Sequence, residues 1–273
     1  MVLHDVTPWP TEAIWQAVAP GLPGFTVEVV PEIDSTNAEL MRRARLGRHG
    51  PVLLVAEHQT AGRGRLGRAW IDQPGAVHTG PGTLMFSLGL PLSPRDWSGL
   101  SLAIGLSLAE SLHPDIALKW PNDLWWRDRK LAGILVETVN WGGDAAQSSR
   151  FAVIGVGLNI TCPTVSNLST APAGLSELLS GVDARQALVC MVAPLVHALH
   201  RFEQHGFGPL RAAFNARDAL ANAPVTLSDG THGVAQGVDT AGALMVQTAV
   251  GMQRMTSSEV SVRPLAAPVA HPD

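Results

Sequence analysis

A chain of 273 residues, 46% hydrophobic and 15% charged, can fill a sizeable core, which excludes disorder over most of its length. A formal net charge of −4 gives it no general pull toward nucleic acid or anionic membrane. No apolar run approaches the roughly 20 residues of a membrane span, and the opening MVLHDVTPWP lacks the basic start and apolar core of a signal peptide.

In chain order, residues 11–19 read as a short helix and 25–30 as a strand. Asp34-Ser35-Thr36-Asn37 opens a helix to about Leu46, with Thr36 and Glu39 at capping-box spacing and Gly47 suited to a left-handed C-terminal turn. Residues 52–57 and 84–90 are apolar strands. Ser93-Pro94 is expected to start a helix through about Leu112, apolar round most of its circumference, as for a helix packed deep against a sheet. Further strands are predicted at 117–120, 131–137 and 151–160, followed by a Ser/Thr/Pro-rich mobile loop (161–174) and a helix over 184–205. Cys162 and Cys190 form neither a metal knuckle nor a disulfide scaffold, so a reducing cytoplasm is the simplest expectation. Beyond about Ala221 the texture changes to short β runs (225–227, 233–238, 243–247, 259–262) with turns at Asp229-Gly230 and Thr240-Ala241-Gly242. The expected organisation is a large domain over 1–220, a small β-barrel over 221–265, and a disordered tail over 266–273.

The strongest local signal is Gly62-Arg63-Gly64-Arg65-Leu66-Gly67-Arg68. Its glycines let the backbone approach a ligand and expose N–H groups, and Arg63, Arg65 and Arg68 supply charged forks suited to carboxylate and phosphate oxygens. Alone, it also reads as a solvated basic turn or an RGG-like nucleic-acid element. Lys119-Trp120-Pro121-Asn122-Asp123 places a lysine, an amide and a carboxylate at a strand end, a kit for phosphates and Mg²⁺, or else an ordinary turn with satisfied side chains. Lys130 begins a buried strand in which Gly133 leaves space; the bland alternative is a snorkelling lysine. Gly155 and Gly157 lie inside a strand, implying close approach by a ligand or backbone, and Asn159 could present its amide edge to a base.

With Ser35-Thr36-Asn37 and Glu57-His58-Gln59 upstream, this ordered set resembles the bacterial biotin protein ligase family, biotin–[acetyl-CoA-carboxylase] ligases, in the form lacking an N-terminal DNA-binding domain. The matching stretches are 34–37, 59–70, 119–123, 130–137 and 155–160. The resemblance implies an α+β fold: a mixed-sheet biotin/lipoate ligase-like catalytic domain flanked by helices, with a small C-terminal SH3-like β-barrel. It implies an ATP-dependent ligase that forms biotinyl-5′-AMP and pyrophosphate, then passes biotin to a lysine of a biotin carboxyl carrier domain. Arg63, Arg65 and Lys130 would be catalytic. Ser35, Thr36, Asn37, Gln59, Gly62, Arg63, Gly64, Arg65, Lys130 and Gly133 would hold biotin. Arg65, Arg68, Trp70, Lys119, Asn122, Asp123 and Asn159 would hold ATP, with Asp123 also reaching Mg²⁺. Trp70 would close the loop over the ligand. No resident nucleophile is expected.

Two departures stand out. Residues 71–82 are longer than the family usually shows, with Ala76-Val77-His78-Thr79-Gly80 as the insertion, and Thr83 replaces a common asparagine. His78 is read as a loop histidine. Only 24 residues precede Phe25, against about 50 for a folded domain, so DNA binding is not expected. A homodimer is compatible with the pattern. The alternatives are a lipoate-type protein ligase on the related scaffold and a non-catalytic biotin-sensing module.

Overall fold

The computed structural model describes residues 8–72, 81–140, 149–164, 170–256 and 262–264. The expected insertion with His78, the centre of the loop over 161–174, and the tail over 266–273 lie outside the described residues.

The large unit is a seven-stranded sheet in the order β1-β2-β3-β7-β6-β5-β4. Its strands are β1 (Thr26–Ile33), β2 (Val52–Gln59), β3 (Thr83–Leu92), β4 (Ala117–Lys119), β5 (Asp123–Trp126), β6 (Arg129–Asn140) and β7 (Arg150–Asn159). β1 runs parallel to β2, and every other pairing is antiparallel. Mixed pairing of this kind is the α+β arrangement expected from the sequence.

The two faces of the sheet are covered unequally. On one lie α1 (Thr11–Val18), α3 (Leu100–Leu112) and α4 (Ala184–His205), sharing one continuous apolar core with the strands. α3 buries nearly every residue from Leu100 to Ala109. Gly105 lets it close on the sheet: a Cβ there would lie 3.5 Å from both Ile134 and Leu118. The other face carries α2 (Thr36–Arg45), whose Leu40, Met41 and Ala44 pack on Val52, Leu54, Phe151 and Val153. This smaller cover leaves room beside α2 for a cleft.

α5 (Arg211–Ala216) leads to an antiparallel five-stranded sheet in the order β11-β10-β9-β8-β12. Its strands are β8 (Pro224–Leu227), β9 (His232–Val238), β10 (Leu244–Thr248), β11 (Gly251–Met255) and β12 (Val262–Pro264). It is the small C-terminal β unit anticipated above, but it is not isolated. Val225, Leu227, Ala235, Val238, Leu244 and Val246 belong to the main core, and Trp120 Nε1 donates to Gly242 O at 3.1 Å.

Several local expectations need correction. Ser35, not Thr36, caps α2; its Oγ accepts from Ala38 N at 3.4 Å, while Glu39 turns to Arg42 and Arg43. α3 starts at Leu100, because Asp96 Oδ1 accepts from Ser98 N to form a turn and Gly99 has φ 79°. β5, β11 and α5 were not predicted. The strand expected at 259–262 is described only over Val262–Pro264.

Candidate active site

A cavity of about 500 Å³ opens beside α2. Its lining contains Ser35, Thr36, Asn37, Gln59, Arg63, Gly64, Arg65, Arg68, Trp70, Lys119, Asn122, Asp123, Lys130, Gly133 and Asn159. Of the expected site residues only Gly62 is absent from the wall. It still has a close-approach role, since a Cβ there would lie 2.5 Å from Trp70 O.

One end of the cavity is built from neutral hydrogen-bonding groups. Thr36 N and Oγ1 donate to Gln59 Oε1 at 2.7 and 3.2 Å. Ser87 Oγ lies 2.7 Å from both Thr36 Oγ1 and Asn37 Oδ1, and Asn37 Nδ2 donates to Glu137 Oε2 at 2.9 Å. Ser35, Thr36 and Asn37 are each 3% exposed, so these bonds hold side chains that burial would otherwise penalise. Ser87 and Glu137 were not singled out in the sequence. They fix the first turn of α2 against β3 and β6, and Gly155 makes room: a Cβ there would lie 2.3 Å from Asn37 Oδ1.

The Gly/Arg segment forms a short hairpin along the cavity. Arg63 bridges Ala69, Gly64 N donates to Arg68 O at 2.7 Å, and Trp70 N donates to Gly62 O at 2.9 Å. The tip turns through Leu66 (φ 57°) and Gly67 (φ 72°). Trp70 lies over a glycine floor. Gly133 and Gly157 face each other across β6 and β7, and a Cβ on Gly157 would lie 2.3 Å from the indole Cε2.

The opposite end is cationic. Lys130 Nζ pairs with Asp123 Oδ1 at 2.8 Å and sits 5.6 Å from the Trp70 ring centroid. Arg65 Nη1 donates to Asn122 Oδ1 at 3.2 Å, and Asn122 Nδ2 donates to Ile134 O at 2.8 Å. Lys119 and Asp123 are register partners across the β4–β5 hairpin. Burial, opposed by Asp123 and reinforced by neighbouring cations, lowers the Lys119 pKa to about 8. Burial also lowers that of Arg65, which remains charged near neutrality. Asn159 uses both amide hydrogens on the backbone, donating to Lys130 O at 3.3 Å and Ala173 O at 3.1 Å. Among the described residues no cluster of three His, Cys, Asp or Glu could hold a metal by itself.

The Biotin/lipoate A/B protein ligase family profile matches residues 29–159, and that of the Biotin protein ligase C terminal domain matches 222–263. The bifunctional ligase/repressor BirA of Escherichia coli is 37% identical over 253 residues, covering 89% of this chain and 75% of that protein. The chain belongs to the biotin protein ligase family. The biotin–[acetyl-CoA-carboxylase] ligase of Paracoccus denitrificans is 32% identical over 239 residues, covering 83% of this chain and 96% of its own. Among solved structures, the biotin protein ligase of Aquifex aeolicus in complex with biotin and ATP superposes with a TM-score of 0.69 at 26% identity, covering 88% of this chain and 99% of that one. For a family member, the wall shared by α2, the hairpin and the β4–β6 edge gathers dispersed motifs into one cleft.

Proposed function

We propose that this chain is an ATP-dependent biotin protein ligase. The observation that carries this reading is the polarity of a single cavity. Neutral hydrogen-bonding groups (Ser35, Thr36, Asn37, Gln59) cluster in one part of the wall around the start of α2, and Arg65, Arg68, Lys119 and Lys130 cluster in another around Asn122 and Asp123. That polarity matches a neutral ureido ring joined by an acyl chain to a nucleoside phosphate. Ser35, Thr36, Asn37 and Gln59, with Gly62, Gly64 and Gly133 admitting close backbone approach, hold biotin. Lys119, Asn122, Arg65, Arg68 and Trp70 hold ATP, and Asn159, its N–H groups already engaged, accepts from the adenine amine.

In the first step a biotin carboxylate oxygen bonds to the α-phosphorus, the bond to the bridging oxygen breaks, and pyrophosphate leaves. Two anions must meet, and Arg63, Arg65 and Lys130 offset their repulsion where charge develops. Mg²⁺ typically binds one or two carboxylates plus substrate phosphates. Asp123 supplies one carboxylate, so the set fits an ion carried in with the nucleotide, which would add further charge neutralisation. In the second step a lysine amine of a carboxylase's carrier domain attacks the mixed anhydride, AMP departs, and the amine proton passes to solvent. Placing the two groups is the enzyme's main contribution there.

The test is pyrophosphate release with ATP and either biotin or lipoate, followed by a streptavidin blot of a co-expressed carrier domain. Biotin-dependent release with carrier labelling is expected. Release with lipoate alone would make the chain a lipoate ligase, and biotin binding without labelling a sensing module. Lys130→Ala should reduce adenylation by about 100-fold or more, the scale of losing one group that stabilises transition-state charge. Unchanged turnover would remove Lys130 from the site.

A further inference from the structure

The neck of the Gly/Arg hairpin contains a contact that the ligase reading does not use. β3 accompanies β2 only as far as the pair Ala56–Met85, so the last residues of β2 lose their neighbour on that side. Asp72, two residues beyond Trp70, takes the vacated place. Its Oδ2 accepts from Gln59 N at 3.1 Å and also contacts His58 Nδ1. The Asp72 side chain is 5% exposed, whereas that of His58 is 50% exposed. A carboxylate buried to that degree needs donors, and both of those described lie on β2.

The exit of the hairpin is thereby tied to its entry. The entry is itself fixed from the other direction: Thr60 N and Ala61 N donate to Ile33 O and Asp34 O at 2.9 and 2.8 Å, and the Gln59 side chain accepts from Thr36. Releasing Asp72 would therefore free Ile71 and leave the exit tied to the entry only by the hairpin's own bonds, Ala69 against Arg63 and Trp70 N on Gly62 O, while the entry strand stays in place. Trp70, the next group along, would then be kept in place by its N–H on Gly62 O, the glycine floor beneath the indole and the Lys130 ammonium 5.6 Å from its ring centroid, with nothing beyond it to hold the exit.

We propose that Asp72, paired with His58, is a positioning residue that holds the hairpin neck closed and so sets how long the acyl-adenylate is retained. This rests on the ligase reading. Asp72 touches no reacting atom, so it should act on adenylate release rather than on adenylate formation.

Two measurements on the full chain test this. The first needs no substrate: limited trypsin digestion, with cleavage at Arg63, Arg65 and Arg68 followed by mass spectrometry. Asp72→Ala is expected to speed cleavage there about tenfold, the scale of one charge-assisted hydrogen bond. His58→Ala should act in the same direction, and the double variant should be no faster than Asp72→Ala. Parent-like rates, or effects of the two substitutions that multiply, would overturn the proposal.

The second measurement follows biotinyl-adenylate release and single-turnover adenylation. Release should rise by a similar factor, with the adenylation rate constant within about twofold of the parent. Equal losses in both would reduce Asp72 to a general structural role and overturn the proposal. Should Asp72→Ala fail to fold, His58→Ala decides, since its half-exposed imidazole can be removed without opening the core: faster cleavage and release support the latch, and parent rates overturn it. If the parent forms no adenylate, the ligase reading fails, while the digestion still decides whether the neck is held.

Discussion

Two glycines two residues apart on one face of β7 allow a quantitative separation of folding from substrate retention. Neither Gly155 nor Gly157 has a positive φ, so an alanine backbone is accommodated at both, and only the space around the new methyl decides. At Gly155 the methyl would meet Asn37 Oδ1 at 2.3 Å and Cγ at 2.9 Å. Asn37 cannot retreat without giving up the contacts to Glu137 and Ser87, and it stands in the first turn of α2. Overpacking at about 1–3 kcal/mol and the two strained hydrogen bonds at about 1 kcal/mol each predict a loss near 3–5 kcal/mol. For a chain of this size that lowers Tm by roughly 6–20 °C. At Gly157 the methyl would meet Trp70 at 2.3 Å from Cε2 and 2.7 Å from Cζ2. This neighbour belongs to a surface hairpin and can lift away. The fold then loses little, but the closed hairpin loses the indole's contact with the sheet, about 2 kcal/mol for a large, partly buried aromatic. That corresponds to a biotin KM roughly 30-fold higher. Scanning fluorimetry and a biotin titration of pyrophosphate release check both variants. Gly157→Ala should cost no more than that one contact, a Tm loss of about 4–8 °C at most on that same scale and smaller than that of Gly155→Ala. A Tm loss equal to that of Gly155→Ala, or an unchanged biotin KM, would refute the idea that Trp70 closes against this floor.

Two predictions concern pH. If the Lys119 charge holds phosphate, kcat/KM for ATP should fall as pH rises through about 8, and Lys119→Arg should keep it level to higher pH; a parent profile flat from about pH 7 to 9 would argue against the role. Because the folded pKa lies below the ordinary lysine value of 10.5, the unfolded chain binds more protons between those values, so this group makes the ligand-free protein more stable as pH rises through that window. Asp218 gives the opposite sign. Burial raises its pKa to about 6; Oδ1 accepts from Leu220 N at 2.9 Å, while Oδ2 has no partner among the described residues. The native state therefore binds the extra proton between the ordinary aspartate value of 3.8 and about 6, and stability from this group grows as pH falls from 7 toward 4. In denaturant melts the stability of the parent relative to Asp218→Asn should grow as the pH falls across that range, and a difference that stays constant would count against it.

What could be read from the sequence depended on whether the chemistry was local. Gly62–Arg68 and Lys119–Asp123 carry their charge and backbone freedom within a few consecutive residues, so the cationic end was visible before any fold was known. The β5 strand was not. It is four residues long, begins two residues after Pro121, and turns into β6 through Arg127 (φ 49°) and Asp128 (φ 59°), neither of them the glycine that usually marks such a turn. The neutral end was only half legible. Ser35, Thr36, Asn37 and Gln59 were recognisable, but Ser87 is a single hydroxyl in an otherwise apolar strand, and its partners lie 50 and 51 residues away. The hint available was that buried placement itself, because a serine inside an apolar run must find a bond there.

The difference affects how each end can change. At the cationic end a residue type nearly defines its job, and substitutions should act on one step. At the neutral end the job of Asn37 depends on which of its atoms other residues already hold: Nδ2 is engaged by Glu137 and Oδ1 by Ser87. Its side chain thus braces the wall on which Ser35 and Thr36 sit. Selectivity for the ring that binds there is accordingly a property of α2, β3, β6 and Gly155 together, and altering it requires changing several of them at once.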